Sequence, residues 1–160
     1  MSSTPVSTLA LADRHLTSIL PDLLTPGCAL VDLSGNELTS LRDIDPISTE
    51  IVTLNVSKNR LTEAAEIPYM PKLKSLYAAN NNIGFLDIFI EKLCVAAPNL
   101  EELMLINNKC HPGVLESQAK VEYRIYIAAR FPHIKTLDGT SLKASERQEA
   151  KRLLRLVGLE

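Results

Sequence analysis

The chain has 160 residues, of which 46% are hydrophobic, and its 17 Lys and Arg against 19 Asp and Glu leave a formal net charge of -2. That length fits one domain able to bury roughly 70% of the surface its unfolded chain exposes, and near-neutral charge without a basic run excludes the electrostatic stripe that carries duplex or RNA binding. Aromatics make up only 4% and Trp is absent, so the core has to be aliphatic, as in a stack of similar leucine layers.

At the N-terminus, Met1 to Ala12 has no basic leader, and its mildly apolar stretch from Val6 stops at Asp13 and Arg14, so no secretory signal is expected. No stretch approaches the eighteen or so uninterrupted apolar residues of a membrane span. The expectation is a soluble intracellular chain, cytoplasmic or nuclear.

An apolar ladder of the form L-x-x-L-x-L-x-x-N-x-L then recurs five times. Its frames are Val6, Leu9, Leu11, Leu16; Cys28, Val31, Leu33, Asn36, Leu38; Ile51, Leu54, Val56, Asn59, Leu61; Leu73, Leu76, Ala78, Asn81, Ile83; and Leu100, Leu103, Leu105, Asn108, Cys110. Arg14 fills the asparagine slot of the first frame, and the slots at 14, 36, 59, 81 and 108 are 22, 23, 22 and 27 residues apart, the spacing of leucine-rich repeats. Each L-x-L alternation predicts a short strand with one face buried, and strands that all run the same way stack in parallel. The slot asparagines are read as satisfying backbone groups in the turn that leaves each strand.

The longest return between strands, Gly84 to Pro98, holds Phe85, Leu86, Ile88, Phe89, Leu93 and Cys94, a spacing that predicts a convex helix of about three turns. After Asn108 the period breaks. Val121, Ile125, Ala128 and Ala129, beside Tyr123, Ile127 and Arg130, predict a helix that Pro132 ends, and Ile134 with Leu137 predicts a last short strand. Such a unit covers the open end of a stack. Ser145 and Gln148 are spaced as a capping box for a final helix whose apolar stripe is Ala150, Leu153, Leu154 and Val157, with Gly158 as terminator. That stripe either folds back on the cap or docks a partner. The reading is thus an α/β leucine-rich repeat solenoid forming one domain over 1–160: about five repeats over 6–109 with a parallel concave sheet and a partly helical convex side, a cap over 110–142, and a C-terminal helix over 144–157.

The string Tyr123-Arg124, Pro132, Ile134, Leu137-Asp138 and then Glu146-Arg147-Gln148-Glu149-Ala150 resembles the C-terminal cap that follows 22-residue leucine-rich repeats. Such caps occur in the spliceosomal A-prime protein, the acidic leucine-rich nuclear phosphoproteins, and axonemal and trafficking relatives. Leu103 through Asn107-Asn108-Lys109-Cys110 and Pro112 is similar to the leucine-rich melanocyte differentiation-associated protein and its relatives. The splicing resemblance implies a nuclear scaffold that binds an RNA-recognition-motif protein. No acidic tail follows, so the tail functions of the phosphoprotein group are not carried over.

Signatures of catalysis are missing: there is no G-x-S-x-G, G-x-x-x-x-G-K or H-E-x-x-H, and His15, His111 and His133 are isolated. Cys110-His111 could bind a metal by residue type, yet adjacent side chains rarely converge on one ion. Cys28, Cys94 and Cys110 read as reduced packing cysteines, and the Asn55-Val56-Ser57 sequon falls on a strand. No catalytic residue, metal or cofactor is expected.

The function expected is non-enzymatic protein recognition, as an adaptor or scaffold, with no nucleic acid bound directly and no small-molecule substrate. Residues between the ladder positions face the concave side, where solvent favours polar groups. Leu30, Tyr77, Met104 and Ile106 break that rule, and the last three come from neighbouring repeats. The predicted partner site is therefore Tyr77, Met104 and Ile106, oriented by Asn55, Asn80 and Glu102, and it would take a helix or loop of another protein. The alternative is that the cap loop from Cys110 to Glu122 folds over Met104 and Ile106.

Overall fold

Each ladder core becomes a strand of three residues whose middle side chain is buried and whose outer two face the opposite side. The strands are β1 (Thr8–Ala10), β2 (Leu30–Asp32), β3 (Thr53–Asn55), β4 (Ser75–Tyr77) and β5 (Glu102–Met104), seen in a computed structural model that describes residues 7–113 and 118–158. They pair in parallel and in sequence order, so Leu9, Val31, Leu54, Leu76 and Leu103 form one buried row. Leu11, Leu33, Val56, Ala78 and Leu105 form the next, and the core runs without a break from Leu9 to Leu142. Val6, the first ladder residue, lies outside the described residues.

A tight turn follows every strand, and the residue just ahead of each slot takes a left-handed backbone. Asp13, Gly35, Lys58, Asn80 and Asn107 have φ between 54° and 67°. At position 35 a Cβ would also lie 1.9 Å from a carboxylate oxygen of Asp13, so any larger residue would have to displace that side chain as well as adopt the left-handed backbone. The slot asparagines then stitch two layers at once. Asn59 donates through Nδ2 to Leu33 O at 2.9 Å and Val56 O at 3.1 Å, and its Oδ1 accepts from Leu38 N at 2.9 Å. Asn36, Asn81 and Asn108 repeat that pattern, each reaching back into the repeat before its own.

The convex returns differ in form. One is a 3-10 helix over Arg42–Glu50, and the longest is α1 (Leu86–Ala96), which buries Phe89, Ile90, Leu93 and Ala96. Of the six apolar residues that predict α1, Phe85 and Ile88 point outward, 63% and 44% exposed. The helix has no side-chain cap of its own. Glu63 of the preceding repeat instead holds the chain just ahead of the helix, accepting from Gly84 N at 2.9 Å and Phe85 N at 3.4 Å, and the Gly84 bond above all holds its carboxyl below the usual value.

Beyond β5 lie α2 (Gln118–Arg130), β6 (Thr136–Leu137), β7 (Thr140–Ser141) and α3 (Ala144–Leu156). β6 continues the parallel order and β7 turns back antiparallel on it, giving a seven-stranded sheet. That hairpin goes beyond the single last strand expected, although Asp138-Gly139, with φ of 53° and 74°, carries the Asp-Gly signal of a two-residue turn. α2 buries Tyr123 and Ile127 together with Arg124, which the pattern does not place inward; of the predicted side Ile125, Ala128 and Ala129 are half-buried and Val121 is 47% exposed. The reason is polar. Arg124 sits 8% exposed with Nε 2.6 Å from Glu146 and donates to Leu137 O and Ser141 O, so the helix turns its guanidinium inward. α3 begins at Ala144, and Glu146 in its first turn reaches back to accept from Lys143 N at 2.7 Å; this bond stands in place of the predicted Ser145–Gln148 box. Of the predicted stripe on α3 only Ala150 is buried, Leu154 is half-buried, and Leu153 and Val157 are exposed.

Candidate functional site: the concave sheet face

Parallel pairing sets the outward side chains into rows. One row reads Thr8, Leu30, Thr53, Ser75, Glu102, Thr136, and the next Ala10, Asp32, Asn55, Tyr77, Met104. Asn55, Tyr77 and Met104 are therefore lateral neighbours, and Glu102 stands one row away on the same strand as Met104. The Tyr77 hydroxyl donates to Glu102 Oε2 at 2.7 Å and Ser75 Oγ donates to the same oxygen at 3.1 Å. The first of these bonds, with a smaller contribution from burial, raises the Tyr77 phenol above its ordinary value. Tyr77, Met104 and Glu102 are all half-buried. Ser75 was not among the predicted site residues; its signal lay in the register, which puts it opposite Glu102.

The remaining predicted residues lie in the turn after β4, on β3 and just beyond β5. Asn80 is the left-handed residue of its turn, and its Oδ1 accepts from Asn107 Nδ2 at 3.0 Å. Asn55 Oδ1 accepts from Ser57 N at 3.1 Å. Ile106 lines a notch of about 190 Å³ with His111, Gly113, Tyr123 and Asp138. His111 and Gly113, in the described part of the cap loop, thus border Ile106, and Val114 and Leu115 lie outside the described residues. Leu30, 37% exposed, stands two strands from Tyr77, between Thr8 and Thr53.

Two adjacent glutamates have opposite surroundings. Strand alternation sends Glu101 away from Glu102, and Glu101 accepts from both Lys74, at 2.9 Å, and Lys135. These hydrogen bonds, Lys135 first, hold its carboxyl down to about 2. Glu102 has no cation within ion-pair distance among the described residues, and both of its hydrogen bonds fall on Oε2.

At the cap end, Asp138 closes the ladder. Its Oδ1 accepts from Leu105 N at 2.7 Å, the donor that a further strand would otherwise take, while Oδ2 accepts from the Tyr123 hydroxyl at 2.8 Å and lies 3.3 Å from His111 Nε2. His111 packs edge-on against Tyr123. Cys110 turns the other way and packs against the core, where burial pushes its thiol up to about 11. The adjacent pair is thus split between two environments, and among the described residues no cluster of three His, Cys, Asp or Glu could hold a metal. No described helix is long and apolar enough to cross a membrane.

A sequence model of the leucine-rich repeat family matches residues 31–157. The leucine-rich melanocyte differentiation-associated protein of Homo sapiens is 30% identical over 127 residues, covering 75% of this chain and 64% of that protein. The U2 small nuclear ribonucleoprotein A' of Arabidopsis thaliana is 32% identical over 125 residues, covering 77% and 46%, and the probable form of Drosophila melanogaster is 28% identical over 143 residues, covering 78% and 53%. The chain therefore spans 46% to 64% of the lengths of these relatives, and none of their names is that of an enzyme. In the crystal structure of the Drosophila melanogaster SNF/U2A' complex, a chain 26% identical superposes with a TM-score of 0.71, covering 92% of this chain and 81% of that one. With a register of stacked strands, a slot asparagine in each of four repeats and a family match over most of its length, the chain belongs to the leucine-rich repeat family.

Proposed function

We propose that this chain is a non-catalytic recognition module, an adaptor or scaffold of one domain, that holds a protein partner in its concave face. The observation that carries this reading is the lateral pairing of Tyr77 with Met104, with Ile106 just beyond β5, on a sheet surface where solvent favours polar groups. A half-buried Tyr beside a Met gives a partner one rigid and one adaptable contact. Ala10, Ala12, Ser34, Ser57 and Ala79 leave the rest of the trough shallow, so a helix or loop approaches the backbone closely.

Replacing Tyr77→Ala together with Met104→Ala is expected to abolish capture of the principal partner in a pull-down while barely moving the melting temperature, because neither side chain belongs to a leucine layer. Unchanged capture would remove the concave-face reading.

A second reading is favoured by the SNF/U2A' likeness. In it the partner is an RNA-recognition-motif protein, the chain works inside a nuclear splicing particle, and RNA is contacted by the partner rather than by this chain. Recovery with spliceosomal RNA supports it; recovery with GTPase, dynein or coat components supports a cytoplasmic adaptor instead.

A further inference from the structure

We propose that Glu102 is the charge-reading residue of the concave face, taking the ammonium or guanidinium of a helix that a protein partner lays across strands β3 to β5. This rests on the concave-face reading and adds the chemistry of the occupant.

The geometry around Glu102 is that of a carboxylate held ready for a cation. Tyr77 and Ser75, one strand back, both donate to Oε2, which fixes the side chain and leaves Oε1 without a hydrogen-bond partner among the described residues. Lys74 and Lys135, which precede the strands on either side, are both committed to Glu101 on the other face. Tyr77 and Met104 stand beside it, so any partner that covers those two side chains also removes water from Glu102. A carboxylate stripped of water and left unpaired is strongly unfavourable, whereas a cation delivered to it makes a charge-assisted hydrogen bond. The face therefore selects for a basic residue flanked by apolar ones and selects against a neutral or acidic one in that place.

A helix suits the trough by size. Strands of three residues span about 10 Å, close to the roughly 10–12 Å diameter of a helix with its side chains. Five strands spaced about 4.8 Å apart span about 19 Å, room for about thirteen helical residues at 1.5 Å each. Tyr77 and Ser75 act as positioning residues, since each reaches the partner's charge only through Glu102.

A selection experiment tests this before any partner has been identified. A phage-displayed library of helical peptides of about thirteen residues is panned on the purified full chain and on Glu102→Lys. The wild type is expected to enrich peptides with Lys or Arg bounded by apolar residues three or four positions away, whose binding is lost on Tyr77→Ala with Met104→Ala. Glu102→Lys is expected to enrich Asp or Glu at the same place. Glu102→Gln, which preserves shape, should weaken the wild-type peptides roughly tenfold or more and flatten their dependence on salt. Should Glu102→Lys fail to fold by its thermal melt, Glu102→Gln carries the test alone. Peptides that need Tyr77 and Met104 but show no charge preference overturn the role of Glu102 and leave the concave face standing. Peptides indifferent to Tyr77 and Met104, or an empty selection, reject the face and the inference with it.

Discussion

The two ends of the stack solve the same problem with different means. β1 pairs only with β2 among the described strands, and the asparagine slot of that first repeat holds Arg14, an exposed residue whose guanidinium reaches back to Ala10 O at 3.5 Å. A slot asparagine works by bonding the repeat before it, and no described strand precedes β1; a long charged side chain near a strand edge discourages another strand from adding to it. At the other end, Asp138 substitutes a side-chain oxygen for the missing ladder carbonyl, β7 folds back on β6, and Arg124 ties α2, the hairpin and α3 together through Glu146. One end is guarded by charge on the surface. The other is closed by a buried polar network, and such networks are stabilising only while every member is satisfied.

That contrast can be broken by mutation, and the largest effects belong to the cap and the layers. Arg124→Ala should cost about 3–5 kcal/mol, because it leaves the largely buried Glu146 without a cation; urea unfolding would measure it, and a loss below about 1 kcal/mol would show that the pair is effectively solvated. In mid-stack, Leu76→Ala should cost about 2–5 kcal/mol through a core cavity, checked in the same titration. Asp138→Ala should cost about 1–3 kcal/mol by leaving Leu105 N without its acceptor, and the Leu105 amide should then exchange faster with deuterium. At the other end, Arg14→Asn should change stability by no more than about 0.5 kcal/mol, as surface substitutions do.

Acid should separate the ends without a mutation. Burial alone would raise the Glu146 carboxyl, but hydrogen bonds from Arg124 and Lys143 N outweigh it and hold the group below its ordinary 4.5. A carboxyl depressed on folding contributes stability that is complete above its unfolded value and is lost as the pH falls through the folded value. Amide exchange in α2 and α3 should therefore accelerate below that pH before exchange in the asparagine-stitched turns of β2 to β4, whose neutral amides do not titrate. Simultaneous loss in both regions would mean that the cap and the layers unfold as one unit.

The layers are legible in the sequence because their cause is periodic. Leu54, Leu76 and Leu103 sit where alternation puts them, and Asn59 bonds the turn its slot implies. The cap is legible in part: Pro132 does follow the end of a helix, and Leu137 does lie on a strand. Its inward face is not, because hydrophobic periodicity assigns a basic residue to solvent, whereas Arg124 is buried with Glu146, a partner 22 residues farther on. Sequence spacing cannot show such a pairing. The same holds on the concave face, where Tyr77, Met104 and Glu102 are identifiable as outward residues, but the hydroxyl bonds onto one carboxylate oxygen depend on register between strands 27 residues apart.

The backward reach of the slot asparagines also gives the molecule a direction in time. Leu38 N waits for Asn59, Leu61 N for Asn81, Ile83 N for Asn108, and Leu105 N for Asp138. On a ribosome, which releases the N-terminus first, every repeat emerges before the residue that completes it. The nascent stack is thus one layer short of its completing bonds until Asp138 has been made.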